Sequence, residues 1–209
     1  MKKKSYSYIG ISFIVLIFGI WAVPKIVARF QKSDVEVIGA APAFMLTDQN
    51  GKKISNKDYL GKVYVLEFFF STCPTICPKM NKNMLTIEQE YYGRPDFGIA
   101  SITINPENDT PQVLKEHAKL LGAKHYNWHF LTGKRDYIFN IAKEFKLYAG
   151  VNPEVAGSFE HSGMFALIDK EGNIRSRKDT YGNPILYYDG LEEAGVTAIK
   201  EDIKKLLEE

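Results

Sequence analysis

The sequence predicts an α/β domain organised around one buried parallel strand. Three observations carry this. The run Val63 to Phe70 is apolar except for Glu67, the composition of a central strand covered on both faces. Strand-like and helix-like segments alternate after it, the helical ones repeating apolar residues every three or four positions. Two turns, Asp48-Gln49-Asn50-Gly51 and Asp169-Lys170-Glu171-Gly172-Asn173, each separate a pair of short strand signals, as in hairpins.

The N-terminal part reads as a membrane anchor. Ser5 to Pro24 are twenty residues without a charge. At about 1.5 Å per residue they make roughly 30 Å of helix, the thickness of a bilayer core. Lys2, Lys3 and Lys4 lie just before this span, and Lys25, Arg29 and Lys32 follow it more loosely. The denser cluster sets the N-terminus in the cytoplasm. A cleaved signal peptide begins in the same way, but Trp21-Ala22-Val23-Pro24-Lys25 has no small-x-small cleavage site and no cysteine precedes Cys73, so the expectation is an uncleaved anchor. Residues 1–24 are therefore assigned to a cytoplasmic tip and transmembrane helix, 25–41 to a tether, and 42–209 to an exported domain. The implied location is the bacterial inner (cytoplasmic) membrane, single-pass, with the domain facing the periplasm or cell exterior.

Charge excludes one class of partner. Residues 1–41 carry six basic and two acidic side chains, a net +4 against a chain total of +2. The remaining 168 residues thus hold about −2, which leaves no basic footprint for nucleic acid. A segment of that length forms a single domain with a substantial core.

Within the domain, Phe44–Thr47 and Lys53–Ser55 flank the first turn as an N-terminal hairpin. The strand Val63–Phe70 follows. Met80, Met84, Ile87 and Tyr91 then define one face of a helix closed by Gly93. Phe97–Ile104 is a second strand. Asp109-Thr110-Pro111 supplies a cap and an N1 proline for a helix ending near Gly122. Trp128–Leu131 is a short strand, and Ile138, Ile141, Ala142 and Phe145 mark the next helix. Met164–Ile168 and Ile174–Arg177 form the closing hairpin, and Ile199, Ile203 and Leu206 the last helix. This is the element order of a thioredoxin-like fold with an N-terminal hairpin extension, preceded by one transmembrane helix.

The chain's two cysteines lie together in Cys73-Pro74-Thr75-Ile76-Cys77-Pro78, directly after the central strand. That is the carboxyl end of a strand, where open α/β sheets build their sites. A disulfide across so short a loop constrains the unfolded chain by only about 2 kcal/mol, against about 3 for fifteen residues, so stapling is the weaker reason for the pair. The gap is one residue longer than that of a Cys-x-x-Cys redox motif, which leaves both disulfide exchange and soft-metal binding open. Each cysteine precedes a proline, which disfavours helical backbone there. Cys77 is accordingly expected as the cap of the following helix, whose positive end favours thiolate.

Copper(I) takes thiolates and accepts imidazole, so a histidine facing the pair completes a soft three-coordinate site. His117 is expected as a solvated residue of a helix, and His125 and His129 as structural residues flanking Trp128. His161 leads into the strand Met164–Ile168, through the loop that faces the cysteine loop in this fold. No proline stands between Ala156 and Gly163, where thioredoxins carry a cis-proline.

These residues resemble the Sco (SenC) copper chaperones of cytochrome oxidase assembly. The resemblance rests on Phe68-Phe69-Phe70-Ser71-Thr72-Cys73-Pro74-Thr75-Ile76-Cys77-Pro78, on Ser101–Pro111, on Leu131-Thr132-Gly133 and on His161-Ser162, and covers about residues 40–209. It implies that Cys73, Cys77 and His161 bind copper, as Cu(I) with Cu(II) as a second state. The implied recipient is the binuclear copper centre of cytochrome c oxidase subunit II, with an upstream copper donor or thiol reductase as a further partner. It also implies a metallochaperone rather than an enzyme. The alternative is a thiol-disulfide oxidoreductase that reduces the oxidase copper-site cysteines, in which Cys73 and Cys77 are the catalytic pair. Two departures stand out: Thr75 and Glu160 occupy positions where many relatives have Asp. Glu160 keeps a carboxylate able to support the imidazole. Peroxiredoxin-like peroxidases fit less well, because Ser71-Thr72-Cys73 breaks their Thr-to-Cys spacing.

Overall fold

The computed structural model describes residues 7–30, 34–154 and 159–209, with the side chains of residues 10–23 in the first of these segments. The chain divides into an N-terminal unit and a unit spanning Asp34–Leu207. The first contains helix α1, Ser7–Phe30. Ile11, Phe13, Ile14, Leu16, Ile17, Phe18 and Trp21 are all exposed on it. The transmembrane span expected over residues 5–24 is nevertheless not met. Among the described residues no helix is long and apolar enough to cross a membrane. Residues 5 and 6 lie outside the described residues.

The second unit is built on a mixed sheet in the order β1 (Glu36–Ala40), β10 (Asn173–Ser176), β9 (Met164–Ile168), β4 (Val63–Phe69), β5 (Phe97–Thr103), β6 (Trp128–Thr132), β2 (Met45–Asp48) and β3 (Lys53–Ser55), with β11 (Tyr188–Asp189) also beside β9. Its centre is β4, Val63–Phe69, every residue of which is buried. It pairs in parallel with β5, Phe97–Thr103, from Val63↔Phe97 to Phe69↔Thr103. On its other side it runs antiparallel to β9, Met164–Ile168. Burial on both faces accounts for the unbroken apolar composition of β4. Beyond β5 lies β6, Trp128–Thr132, also parallel, and beyond that the antiparallel hairpin β2–β3, Met45–Asp48 and Lys53–Ser55. On the opposite flank β9 pairs with β10, Asn173–Ser176.

Both expected hairpins form, and both use one device. Asp48 Oδ1 accepts from the amides of Asn50 (2.9 Å) and Lys52 (2.8 Å), and Asp169 Oδ1 accepts from those of Glu171 (3.1 Å) and Asn173 (2.7 Å). Gly51 and Gly172 supply the left-handed residues, at φ 79° and 85°. The helices α2 (Cys77–Glu90), α4 (Arg135–Glu144) and α5 (Glu193–Glu208) bury the predicted faces, and α3 (Pro111–Leu121) buries Leu114. Thr110 caps α3, its hydroxyl accepting from the Val113 amide, and Gly122 closes it at φ 83°.

Four strands escaped the sequence reading. The expected tether contains β1, Glu36–Ala40, which pairs with β10. It is held by Arg175, whose guanidinium donates to the Val35 carbonyl (2.7 Å) and pairs with Asp169 (3.1 Å). A separate two-stranded sheet joins β7, Ala149–Val151, to β8, Phe159–His161. The two-residue strand β11, Tyr188–Asp189, completes the set.

The one charge in β4 is wholly buried. Glu67 Oε1 accepts from Ser101 Oγ (2.7 Å), which in turn accepts from Trp128 Nε1 (2.9 Å), a chain crossing β4, β5 and β6. Oε2 has no hydrogen-bond partner. Burial pushes the Glu67 carboxyl up to about 7, opposed by the Ser101 hydrogen bond and by His161. The folded state therefore holds the proton more tightly than the unfolded chain. The resulting stability penalty starts as pH rises through the unfolded value near 4.5 and is complete above about 7. Glu67→Gln should gain about 2 kcal/mol on the parent between pH 5 and pH 8 in urea unfolding. A difference that is the same at both pH values would contradict an ionising Glu67.

Candidate metal centre

The cysteine loop leaves β4 at Phe70 and enters α2 at Cys77. Its start is a turn in which the Cys73 amide donates to the Phe70 carbonyl (3.2 Å). Its end differs from the expectation that Cys77 is a cap. Ile76 is the N-cap, and Cys77 and Pro78 are the first two helical residues. Pro78 is tolerated there because a proline in the first turn lacks only an N–H that has no intrahelical partner. The Ile76 side chain makes no cap, and the Cys73 sulfur takes that place, accepting from the Cys77 amide at 3.5 Å. Thr75 Oγ1 lies 3.6 Å from the same sulfur.

His161 arrives from the far side of the sheet centre. It is the last residue of β8 rather than part of a loop, and its backbone is paired with Ala149 of β7. Its Nδ1 lies 3.0 Å from the Ser162 carbonyl. A carbonyl only accepts, so Nδ1 carries the proton and the Nε2 lone pair is free. Nε2 stands 2.9 Å from Cys77 Sγ. Phe70 packs its ring edge-on to the imidazole (6.0 Å between centroids) and also contacts Phe159 (5.6 Å). All three candidate ligands are buried, and their donor atoms lie within 4.8 Å of one another. Two sulfurs and one imidazole nitrogen are a soft donor set able to hold copper(I).

The two sulfurs are electrostatically unequal. The hydrogen bond from Cys77 draws the Cys73 thiol down to about 3, against the cost of burial and with help from the amides of Cys77 and Thr75. Giving that hydrogen bond, together with burial, pushes Cys77 well above the ordinary thiol range. The pair therefore holds one proton, with Cys73 as thiolate and Cys77 as thiol.

The other predicted residues are accounted for separately. Glu160 does not support the imidazole: it is exposed, and its carboxylate accepts from Asn152 Nδ2 (3.0 Å) across the β7–β8 hairpin. The Ser162 carbonyl takes that role. His117 is not solvated. Its ring stacks on Phe69 (5.5 Å) and meets Phe130 edge-on, because α3 lays it over the sheet, and burial lowers its pKa. His125 and His129 are structural, as expected: His125 Nδ1 accepts from the Asn127 amide (3.1 Å), and His129 Nδ1 faces Asp48 Oδ2 (3.3 Å). None of these three joins the cluster.

A buried Cys–Cys–His cluster at the carboxyl end of a central strand defines a thiol protein equipped for soft-metal binding or disulfide exchange. The chain belongs to the SCO1/SenC family, whose profile matches residues 34–194. It is 32% identical over 164 residues to the SCO1 protein homolog of Bacillus subtilis (strain 168), covering 77% of this chain and 79% of that one. Its fold is similar to that of BsSco, a member of the Sco family of cytochrome c oxidase assembly proteins in which a disulfide switch was identified. That match has TM-score 0.68 and 28% identity over 82% of this chain and 95% of that chain. It is also similar to yeast Sco1 with copper bound, with TM-score 0.58 and 29% identity over 79% and 88% of the two chains.

The inequality of the sulfurs is measurable. At pH 6 iodoacetamide should modify Cys73 at least about tenfold faster than Cys77, since the thiolate is the nucleophile. Mass spectrometry of the peptides reads the ratio. Equal modification would remove the assignment of the thiolate to Cys73.

Proposed function

We propose that this protein carries one copper ion on Cys73, Cys77 and His161 and delivers it to the binuclear copper centre of cytochrome c oxidase subunit II. The observation that carries the reading is the preformed cluster: three buried donor atoms within 4.8 Å, with the imidazole already in the tautomer that offers Nε2. Such pre-organisation lowers the ordering cost of capturing an ion. Thiolates favour Cu(I), and the imidazole lets the same site keep Cu(II). An upstream copper donor or thiol reductase loads or reduces the pair. Such a carrier works at the bacterial inner membrane, with the domain facing away from the cytoplasm.

One observation favours a second reading, reduction of the oxidase copper-site cysteines. A thiolate at Cys73 beside a thiol at Cys77 is the arrangement disulfide exchange uses. Cys73 attacks a partner disulfide and releases one thiolate. Cys77, on losing its proton, then attacks the mixed disulfide and frees the second.

Chelator competition on the reduced domain tests the site. Cys73→Ser and Cys77→Ser should each weaken Cu(I) binding by more than the roughly 10–100-fold that outer partners of a metal site contribute. Undiminished copper in the double variant would refute the ligand assignment. In cells, His161→Ala decides between the readings, because exchange needs only the sulfurs. A failure of that variant to restore the oxidase copper centre supports delivery, whereas full restoration alongside failure of both cysteine variants supports reduction. The full chain should sediment with the membrane pellet; its recovery in the soluble fraction would contradict the membrane location.

A further inference from the structure

Asp109 is wholly buried and touches none of the three candidate ligands, yet it holds the start of the cysteine loop. Its Oδ2 accepts from the Ser71 amide (3.0 Å) and from Thr103 Oγ1 (2.5 Å). Its Oδ1 accepts from the Ser71 hydroxyl and from Asn108 Nδ2 (2.7 Å). Four donors thus converge on one carboxylate, which is what a buried charge requires. Asn108 Nδ2 also reaches the Ser71 hydroxyl (3.2 Å).

The arrangement joins the chain that leaves β4 to the chain that leaves β5. The β4–β5 ladder ends where the Ile104 amide donates to the Phe69 carbonyl (2.8 Å). Past that point the chain after β4 has no sheet partner, and Ser71 stands two residues before Cys73. Asp109 replaces the missing ladder. Thr103 is the last residue of β5, so the carboxylate holds the sheet through the Thr103 hydroxyl and the loop through the amide and hydroxyl of Ser71. The direction in which the loop leaves β4 then sets the position of Cys73 Sγ against the Cys77 amide and against His161.

We propose that Asp109 is a positioning residue for the thiol pair, acting through Ser71 to hold Cys73 where it can share a metal or a disulfide with Cys77. The inference rests on the copper and thiol roles proposed for Cys73 and Cys77. It assigns Asp109 two effects that a residue serving only stability would not have: on the affinity for Cu(I), and on the dithiol–disulfide equilibrium of the pair.

The test compares the two grips of the same carboxylate. Asp109→Asn and Ser71→Ala loosen the loop side, and Thr103→Val removes a donor on the sheet side. For each full-length variant, thermal stability, Cu(I) affinity by chelator competition, and the dithiol–disulfide equilibrium constant against glutathione are measured. Asp109→Asn should weaken Cu(I) binding about 10–100-fold, the range of an outer partner of a metal site, and shift the exchange constant about tenfold. Ser71→Ala should move both in the same direction, and the double variant should be no worse than Asp109→Asn alone. Thr103→Val, which frees the carboxylate from the sheet, should move both constants in the same direction as Ser71→Ala. If all three variants lower stability and none moves either constant, Asp109 is structural only and the proposal fails. If Asp109→Asn does not fold, Ser71→Ala alone decides in the same way. If the parent does not bind copper, the copper reading has failed, and the exchange constant still decides the role of Asp109.

Discussion

The antiparallel pairing of β4 with β9 is the constraint on which the site depends. Tyr64 lies opposite Ile168 and Leu66 opposite Ala166. The carboxyl end of β4 must therefore meet the beginning of β9. Carried four residues further, the same register sets Phe70 against Ser162, and the Phe70–His161 ring contact shows the two segments converging there. The cysteine loop follows β4 and His161 precedes β9, so residues 84 positions apart in the chain are brought to hydrogen-bond distance. Burial of β4 between β5 and β9 fixes this meeting point. Every residue of β4 is inaccessible, and a one-residue slip of a strand exchanges its two faces, here exposing one apolar set to the wrong neighbours.

Around that meeting point the backbone does work that side chains do elsewhere. The Ser162 carbonyl selects the tautomer of His161. The first turn of α2 offers its Cys77 amide to the Cys73 sulfur, and its positive end favours the anionic form. The pair then divides its labour. Cys73 is the sulfur that the structure keeps deprotonated, and Cys77 is the deeper sulfur, in contact with the imidazole. A soft cation and a disulfide would each take up the same two sulfurs, so the two proposed readings share one site.

The parts legible in the sequence were those whose signal is local. The apolar run of β4, the apolar faces of α2, α4 and α5, the cap of α3, and the Asp-and-Gly turns at Asp48–Gly51 and Asp169–Gly172 can each be read from a short window. The cysteine pair was legible for the same reason, as was the difference between His161 and the residues flanking Trp128. What could not be read depends on partners far along the chain. β7, β8 and β11 are two or three residues long, too short to show a period. β1 is recognisable only through Arg175, which grips Val35 from 140 residues away. His117 looked solvated beside Glu116 and Lys119, and only the placement of α3 turns its ring onto Phe69. Asp109 read as part of a helix start. Its grip on Ser71 follows from the parallel pairing of β4 with β5, which no local pattern encodes.

The central claim is that two sulfurs and one imidazole, assembled by the β4–β9 register, form a single copper site. X-ray absorption at the copper K edge of the reduced protein loaded with one equivalent of Cu(I) tests it most directly. The account predicts a three-coordinate ion whose first shell holds two sulfurs and one nitrogen, with the outer-shell scattering of an imidazole ring. A two-coordinate ion bound by sulfur alone, or a shell of nitrogen and oxygen without sulfur, would contradict it.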